Sequence, residues 1–77
     1  METILDLKYN ILASINAKSC SITELANREF LKNRSMYGIE LLIQQLISDN
    51  YISERKNILY SNKRKAKKIL IKNGYYD

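Results

Sequence analysis

Residues 35–63 read SMYGIELLIQQLISDNYISERKNILYSNK, and they contain the clearest helix and hairpin patterns of the sequence. Ser35 can cap a helix at its start, and the polar residues 48–50 end that helix. Between them the apolar residues repeat at helical spacing and form one strong apolar face: Ile39, Leu42, Ile43, Leu46 and Ile47. Two short β-prone runs then lie on either side of residues 55–57, so they predict a small hairpin.

Three further helices are predicted around this stretch. The first spans roughly residues 3–17, because a single apolar stripe runs along it: Ile4, Leu7, Ile11, Leu12 and Ile15. The second begins at residues 21–24, which have the Ser-x-x-Glu pattern of a capping box. We expect its apolar side chains to point inward: Ile22, Leu25, Ala26 and Phe30. The last helix runs from about residue 62 to residue 72 and stops at Asn73-Gly74.

The chain, residues 1–77, is expected to form one domain in the order helix, helix, helix, hairpin, helix. The fold class is therefore mainly α with a small β-hairpin. A chain of this length buries about 60% of its unfolded surface, which makes the core small. No apolar run reaches membrane-spanning length, and residues 1–3 lack the basic-then-apolar order of a signal peptide. We accordingly expect a cytoplasmic protein.

The composition argues against an enzyme and against a bound metal or cofactor. The chain has no His, so the usual general base near neutral pH is missing. A single thiol, Cys20, cannot build a thiolate metal site, and no second Cys is present to form a disulfide with it. Gly38 and Gly74 are too far apart for a phosphate-cradling loop. A binding protein is the expectation that remains.

Charge is distributed unevenly along the chain. Residues 1–50 carry five basic and six acidic side chains, whereas residues 51–77 carry eight basic and two acidic ones. The net charge of +5 therefore belongs almost wholly to the last third. A field of one sign on one region predicts an anionic partner.

Four short motifs give the chain a resemblance to a known superfamily. They are residues 21–26 (SITELA), 35–46, 49–52 (DNYI) and 59–63 (LYSNK). Together they resemble the winged helix-turn-helix superfamily, and the resemblance covers nearly the whole chain. It implies a recognition helix that begins near residue 35, a hairpin that forms the wing, and association with DNA.

Two features depart from that superfamily's pattern. The link from Ala26 to Leu46 is longer than in compact members, so the turn is extended. The positions that would read bases hold no Lys or Arg: Tyr37, Gly38, Glu40, Leu41 and Gln44. A Glu can accept a hydrogen bond from cytosine, but it repels the neighbouring phosphates. We therefore expect contacts mainly to phosphates, with poor base-specific readout.

Basic side chains are the candidate nucleic-acid ligands. Five of six consecutive positions at the start of the last helix are basic with no acid among them, which favours phosphate neutralisation. The same run also suits an ordinary solvated helix face, and a charged hairpin tip needs no ligand. The candidates are Lys63, Arg64, Lys65, Lys67 and Lys68 in the last helix, Arg55 and Lys56 at the hairpin tip, and Arg28, Lys32 and Arg34 in the turn after helix two.

Fewer aromatic residues than basic residues are candidates for contacts with nucleic acid. Tyr51 and Tyr60 are expected to pack between the hairpin and the helices with wet hydroxyl groups. Tyr37, Tyr75 and Tyr76 are the better candidates for exposed stacking on bases or for a partner contact. The last helix has no aromatic anchor of its own, so a membrane surface is not the expected partner.

A second hypothesis is that the protein is an accessory subunit. Tyr37, Leu41 and Gln44 would lie on the outer face of helix three and dock on a larger replication enzyme, a polymerase, primase or helicase. Ile, Lys, Asn and Tyr make up 34 of the 77 residues, and their AT-rich codons point to an AT-rich bacterial, phage or mobile-element genome. A role in replication or in transcription of such an element fits either hypothesis.

Overall fold

The computed structural model describes residues 4–75, with side chains described from residue 6 onward. The helices are α1 (Ile4–Ala17), α2 (Ile22–Ala26), α3 (Met36–Ser48) and α4 (Lys63–Lys72), and a short 3-10 turn spans Glu29–Leu31. The strands are β1 (Cys20–Ser21), β2 (Ile52–Arg55) and β3 (Ile58–Ser61). The chain is thus mainly helical with a small antiparallel sheet, as the sequence predicts. Two predictions concern parts of the chain outside the described residues. They are the role of Tyr76 in stacking or in a partner contact, and the place of the Ile4 side chain in the apolar stripe of α1.

The sheet has one strand more than the hairpin that the sequence predicts. Its strand order is β1-β3-β2, and both pairings are antiparallel. In the extra pairing Cys20 lies opposite Leu59, and both side chains are buried. Two residues are too few for a period-2 pattern, which is why β1 leaves no signal in the sequence.

The hairpin turn is tighter than predicted. Arg55 pairs with Ile58 inside the sheet, so only Lys56 and Asn57 form the loop. Both loop residues have positive φ, 51° and 67°. A two-residue loop with positive φ at both positions is a type I′ turn, whose twist matches that of the strands.

One buried cluster joins all four helices to the sheet. The apolar stripes predicted for α1 and α3 point into it, and Leu25, Leu59 and Leu70 complete it. One expectation is wrong: Phe30 is exposed, and Leu31 is the fully buried residue of the 3-10 turn. Arg28 is extended between α2 and the 3-10 turn, so the turn does not continue the inward face of α2 and Leu31 is the residue that points into the core.

The predicted helix ends are present, with one difference in detail. The Ser21 hydroxyl accepts a hydrogen bond of 3.2 Å from the Glu24 N–H, as a helix cap does. Ser35 occupies the N-cap position of α3, but its side chain makes no capping hydrogen bond. The ends of α3 and α4 fall at residues 48–50 and at Asn73-Gly74, as predicted. None of the helices within residues 4–75 is long and apolar enough to cross a lipid bilayer.

Candidate nucleic-acid interface and docking groove

Helix α4 separates its apolar and basic residues onto opposite faces. Ala66 and Leu70 are buried against the rest of the molecule. Arg64, Lys68 and Lys72 are exposed and recur every four residues, so they form one row along the outer face. We call these three residues the basic row. Among the described residues no hydrogen bond or ion pair engages any of the three, so their charges face solvent.

Two lysines at the start of α4 instead contact the ends of other helices. Lys63 Nζ donates to the Asn16 carbonyl in the last turn of α1, and Lys65 Nζ donates to the carbonyl of Asp49, the C-cap of α3. A cation at a helix C-terminus satisfies a carbonyl left without a helical partner and interacts favourably with the helix dipole. Lys63 and Lys65 therefore have an intramolecular role that the sequence analysis did not foresee.

A shallow basic groove lies between α4 and the start of the hairpin. Its volume is about 310 Å³, and it is lined by Tyr51, Lys65, Lys68, Ile69 and Lys72. The Lys65 ammonium lies 4.8 Å from the centre of the Tyr51 ring, within cation–π range. Lys68 and Lys72 of the basic row line this groove, so α4 presents a line of charges and, beside it, a concave surface with Tyr51 on its far side.

The hairpin tip presents two further cations. The Arg55 guanidinium lies 5.1 Å from the centre of the Tyr60 ring, which restrains this exposed side chain. Lys56 is exposed in a left-handed conformation that Asn or Gly adopts at lower cost. Both charges thus project from the end of the hairpin, where the sequence analysis expects them.

The turn between α2 and α3 divides its basic residues between two roles. Arg28 is half-buried, and its guanidinium donates to the Ser14 carbonyl at 2.9 Å, to the Ser14 hydroxyl and to the Lys18 carbonyl at 3.2 Å. It therefore holds the end of α1, and the expectation that it contacts phosphate loses its basis. Lys32 and Arg34 are exposed.

The outer face of α3 carries the predicted docking residues, and all three are exposed. Tyr37 is 71% exposed and Leu41 is 47% exposed. A groove of about 430 Å³ lies beside them, between α3 and β2. We call it the α3–β2 groove; it is lined by Ile22, Tyr37, Glu40, Leu41, Ile43, Gln44, Ile47 and Glu54.

Glu54 brings a second carboxylate to this groove. It lies opposite Leu59 in the hairpin, so it shares the sheet face that packs toward the helices, yet it is itself exposed. The groove thus has two carboxylates, Glu40 and Glu54, and no basic side chain in its lining. Nucleic-acid phosphates would be repelled here, so the groove and the basic row suit different ligands.

The tyrosines are less exposed for stacking on bases than the sequence suggests. Tyr75 is half-buried: its ring lies 5.4 Å from that of Tyr9, and its hydroxyl donates to an Asp6 carboxylate oxygen. The expectation that Tyr75 is exposed for stacking or for a partner contact is therefore wrong as regards its exposure. Tyr51 packs against the core, as expected. Of the described candidates for stacking, Tyr37 alone is exposed.

Sequence reasoning missed two residues of these surfaces. Lys72 completes the basic row, and its spacing of four from Lys68 and of eight from Arg64 would have identified it. Glu54 belongs to the α3–β2 groove only because the hairpin folds back beside α3. That placement is a tertiary feature, and no local pattern in the sequence carries it.

Comparison with known proteins finds no relative of this chain. Neither the family models, nor the curated proteins, nor the solved structures contain a match to this chain. The surfaces above are therefore interpreted from their own residues.

Proposed function

We propose that this chain is a small, non-enzymatic winged-helix protein that associates with DNA mainly through phosphate contacts. In this assignment α3 takes the position of the recognition helix and β2 and β3 form the wing. The DNA contact is made mainly by α4, because Glu40 and Glu54 line the groove between α3 and β2 and would repel phosphates. The order of helices and strands in the structure is compatible with that fold. We propose in addition a role in replication or transcription of a phage or mobile element, which rests on the high content of residues with AT-rich codons.

The observation that carries the proposal is the basic row on α4. Arg64, Lys68 and Lys72 extend over about 12 Å of helix axis. Each strand of a DNA duplex presents a phosphate about every 3.4 Å along its axis, so a row of this length faces about three or four phosphates. Three cations with no acidic partner match that density of negative charge.

The remaining candidates would extend this contact without adding sequence specificity. Lys56 and Arg55 at the hairpin tip, together with Lys67, Lys32 and Arg34, are exposed and positively charged. Phosphate contacts position a protein on DNA but do not distinguish sequences. Lys63 and Lys65 contribute to the positive field while their ammonium groups hold the helix ends.

The test is the salt dependence of binding to a duplex of arbitrary sequence. Log Kd against log salt concentration has a slope of about 0.9 for every phosphate neutralised. Changing both Lys68 and Lys72 to Gln should lower that slope by about 1.8. A control substitution, Lys18→Gln, removes one exposed charge from outside the proposed interface and should leave the slope nearly unchanged, whereas Lys68→Gln alone should lower it by about 0.9. Equal losses of slope for Lys18→Gln and Lys68→Gln would show that the basic row is an ordinary solvated helix face.

The α3–β2 groove favours a second function, docking on a larger replication enzyme. Exposed aromatic and aliphatic side chains such as Tyr37 and Leu41 are the anchors that dominate protein interfaces. Pull-down from the native host, with nuclease present, should retain a partner. Tyr37→Ala and Leu41→Ala should each weaken that partner's binding by about 1–2 kcal/mol without altering DNA affinity. Retention of the partner by both variants would contradict docking at this face.

A further inference from the structure

We propose that the α3–β2 groove accepts a cationic protein segment, in which an aliphatic side chain lies between Lys or Arg residues. This inference rests on the docking function proposed above and names the chemistry of the partner. It follows from the composition of the groove lining, which combines apolar side chains with two carboxylates and holds no basic side chain.

The apolar part of the groove determines which side chain of the bound segment lies at its centre, and we call that side chain the anchor. Ile22 and Ile47 are half-buried residues of two different helices that pack against the core, and Leu41 and Tyr37 rise beside them. An aliphatic side chain placed among these four removes apolar surface from water on several sides at once, which is the main favourable term in association. A polar or charged anchor would lose its hydration there without a matching partner.

The two carboxylates of the groove determine which residues of the bound segment flank the anchor. Glu40 is exposed on α3 and Glu54 is exposed on β2, so the two charges come from the two walls of the groove. Lys or Arg beside the anchor would gain favourable interactions with both, and acidic residues would be repelled. The same two charges exclude a nucleic-acid strand as the occupant.

A second copy of this chain is a poorer occupant than a different protein. Each copy carries a net charge of +5, so two copies repel one another at a distance. Within residues 4–75, the helix that could serve as the cationic segment is α4, where Ile71 is exposed beside Lys68 and Lys72. That face is the surface already proposed for DNA.

The test uses the full chain and two synthetic peptides of about twelve residues. Both carry a central Leu, and they differ only in having Lys or Glu on either side of it. The Lys peptide should bind at least tenfold more tightly than the Glu peptide, measured by fluorescence anisotropy at about 0.1 M salt. Changing Glu40 and Glu54 to Gln should abolish most of that preference, whereas the control Glu24→Gln with Glu29→Gln should preserve it. Leu41→Ala should weaken the Lys peptide about tenfold.

Several outcomes would overturn the inference. They are equal binding of the two peptides, no binding of either, or unchanged binding after loss of both groove carboxylates. A host partner that needs Tyr37 and Leu41 but ignores Glu40 and Glu54 would preserve docking while refuting the cationic segment. Self-association in sedimentation experiments that is lost in Ile71→Ala would identify a second copy as the occupant instead.

Discussion

Individual lysines in this protein have different roles although the sequence presents them as one run. Lys63 and Lys65 hold backbone carbonyls at the ends of α1 and α3, while Lys68 and Lys72 have no partner among the described residues. Alanine substitution of residues 63–65 would therefore mix loss of charge with loss of helix capping. The basic row gives a cleaner measure of phosphate binding.

Cys20 makes the stability of the fold depend on pH. Its side chain is 1% exposed, and burial raises the pKa of the thiol above its usual value, against the opposing effect of the nearby Arg28 guanidinium. Below the ordinary thiol pKa of about 8.5 the group is protonated in both the folded and the unfolded chain. Above it the unfolded chain loses the proton more readily, so the free energy of unfolding falls as pH rises.

The prediction for Cys20 is a difference between two pH profiles. Between about pH 8 and pH 10 the wild-type free energy of unfolding should fall more steeply than that of Cys20→Ala, by at most about 1.4 kcal/mol per pH unit. Urea unfolding at several pH values measures both. The rest of the chain is common to the two proteins, so the difference between the profiles isolates the thiol. Parallel profiles would show that burial of the thiol does not contribute.

At the scale of elements, α3 and α4 end in the same hydrogen-bonding pattern. After α3, the N–H of Tyr51 donates to the Leu46 carbonyl at 2.9 Å and that of Asn50 donates to Ile47 at 3.0 Å. After α4, the equivalent bonds run from Tyr75 to Leu70 at 2.8 Å and from Gly74 to Ile71 at 3.2 Å. This is the Schellman motif, with Asn50 and Gly74 at the left-handed position.

Substitutions at these two positions should follow the cost of a left-handed backbone. Gly74→Ala should lower the free energy of unfolding by about 1 kcal/mol, because a Cβ disfavours positive φ. Asn50→Ala should lower it by about the same amount, because Ala lacks the short polar side chain with which Asn stabilises this conformation. Gly74→Asn and Asn50→Gly should be nearly neutral, since both residues tolerate this conformation. A Cβ at Gly74 meets no atom within 4 Å, so crowding does not contribute there. Chemical denaturation measures all four, and a neutral Gly74→Ala would show that the end of α4 frays.

How far the sequence predicts the elements depends on how local their signals are. The stripes of α1 and α3, the Ser21 cap and the Asn73-Gly74 stop are local patterns, and the structure confirms them. Strand β1 exists because Cys20 meets Leu59, a contact between distant parts of the chain. The exposure of Tyr37 and Leu41 follows from the periodicity of α3. The contacts of Arg28 and Lys63 with the end of α1 do not follow from any local pattern.

For the whole molecule, one small core has to stabilise every surface described above. A domain of this size is stable by only about 4–12 kcal/mol, at roughly 0.05–0.15 kcal/mol per residue. The same cluster holds α3 beside β2 and α4 against α1, so loss of core packing would disrupt the groove and the basic row together. Variants used to test either surface must therefore leave the core intact.

Two leucines of α3 test this separation between core and surface with the same chemical change. Leu46 is fully buried, whereas Leu41 is 47% exposed. Leu46→Ala should lower the free energy of unfolding by about 2–5 kcal/mol, because it removes buried methyl groups and leaves a cavity. Leu41→Ala should change it by no more than about 0.5 kcal/mol, as surface substitutions generally do. Urea unfolding of both variants gives the comparison, and a loss above about 2 kcal/mol for Leu41→Ala would assign Leu41 to the core rather than to a docking face.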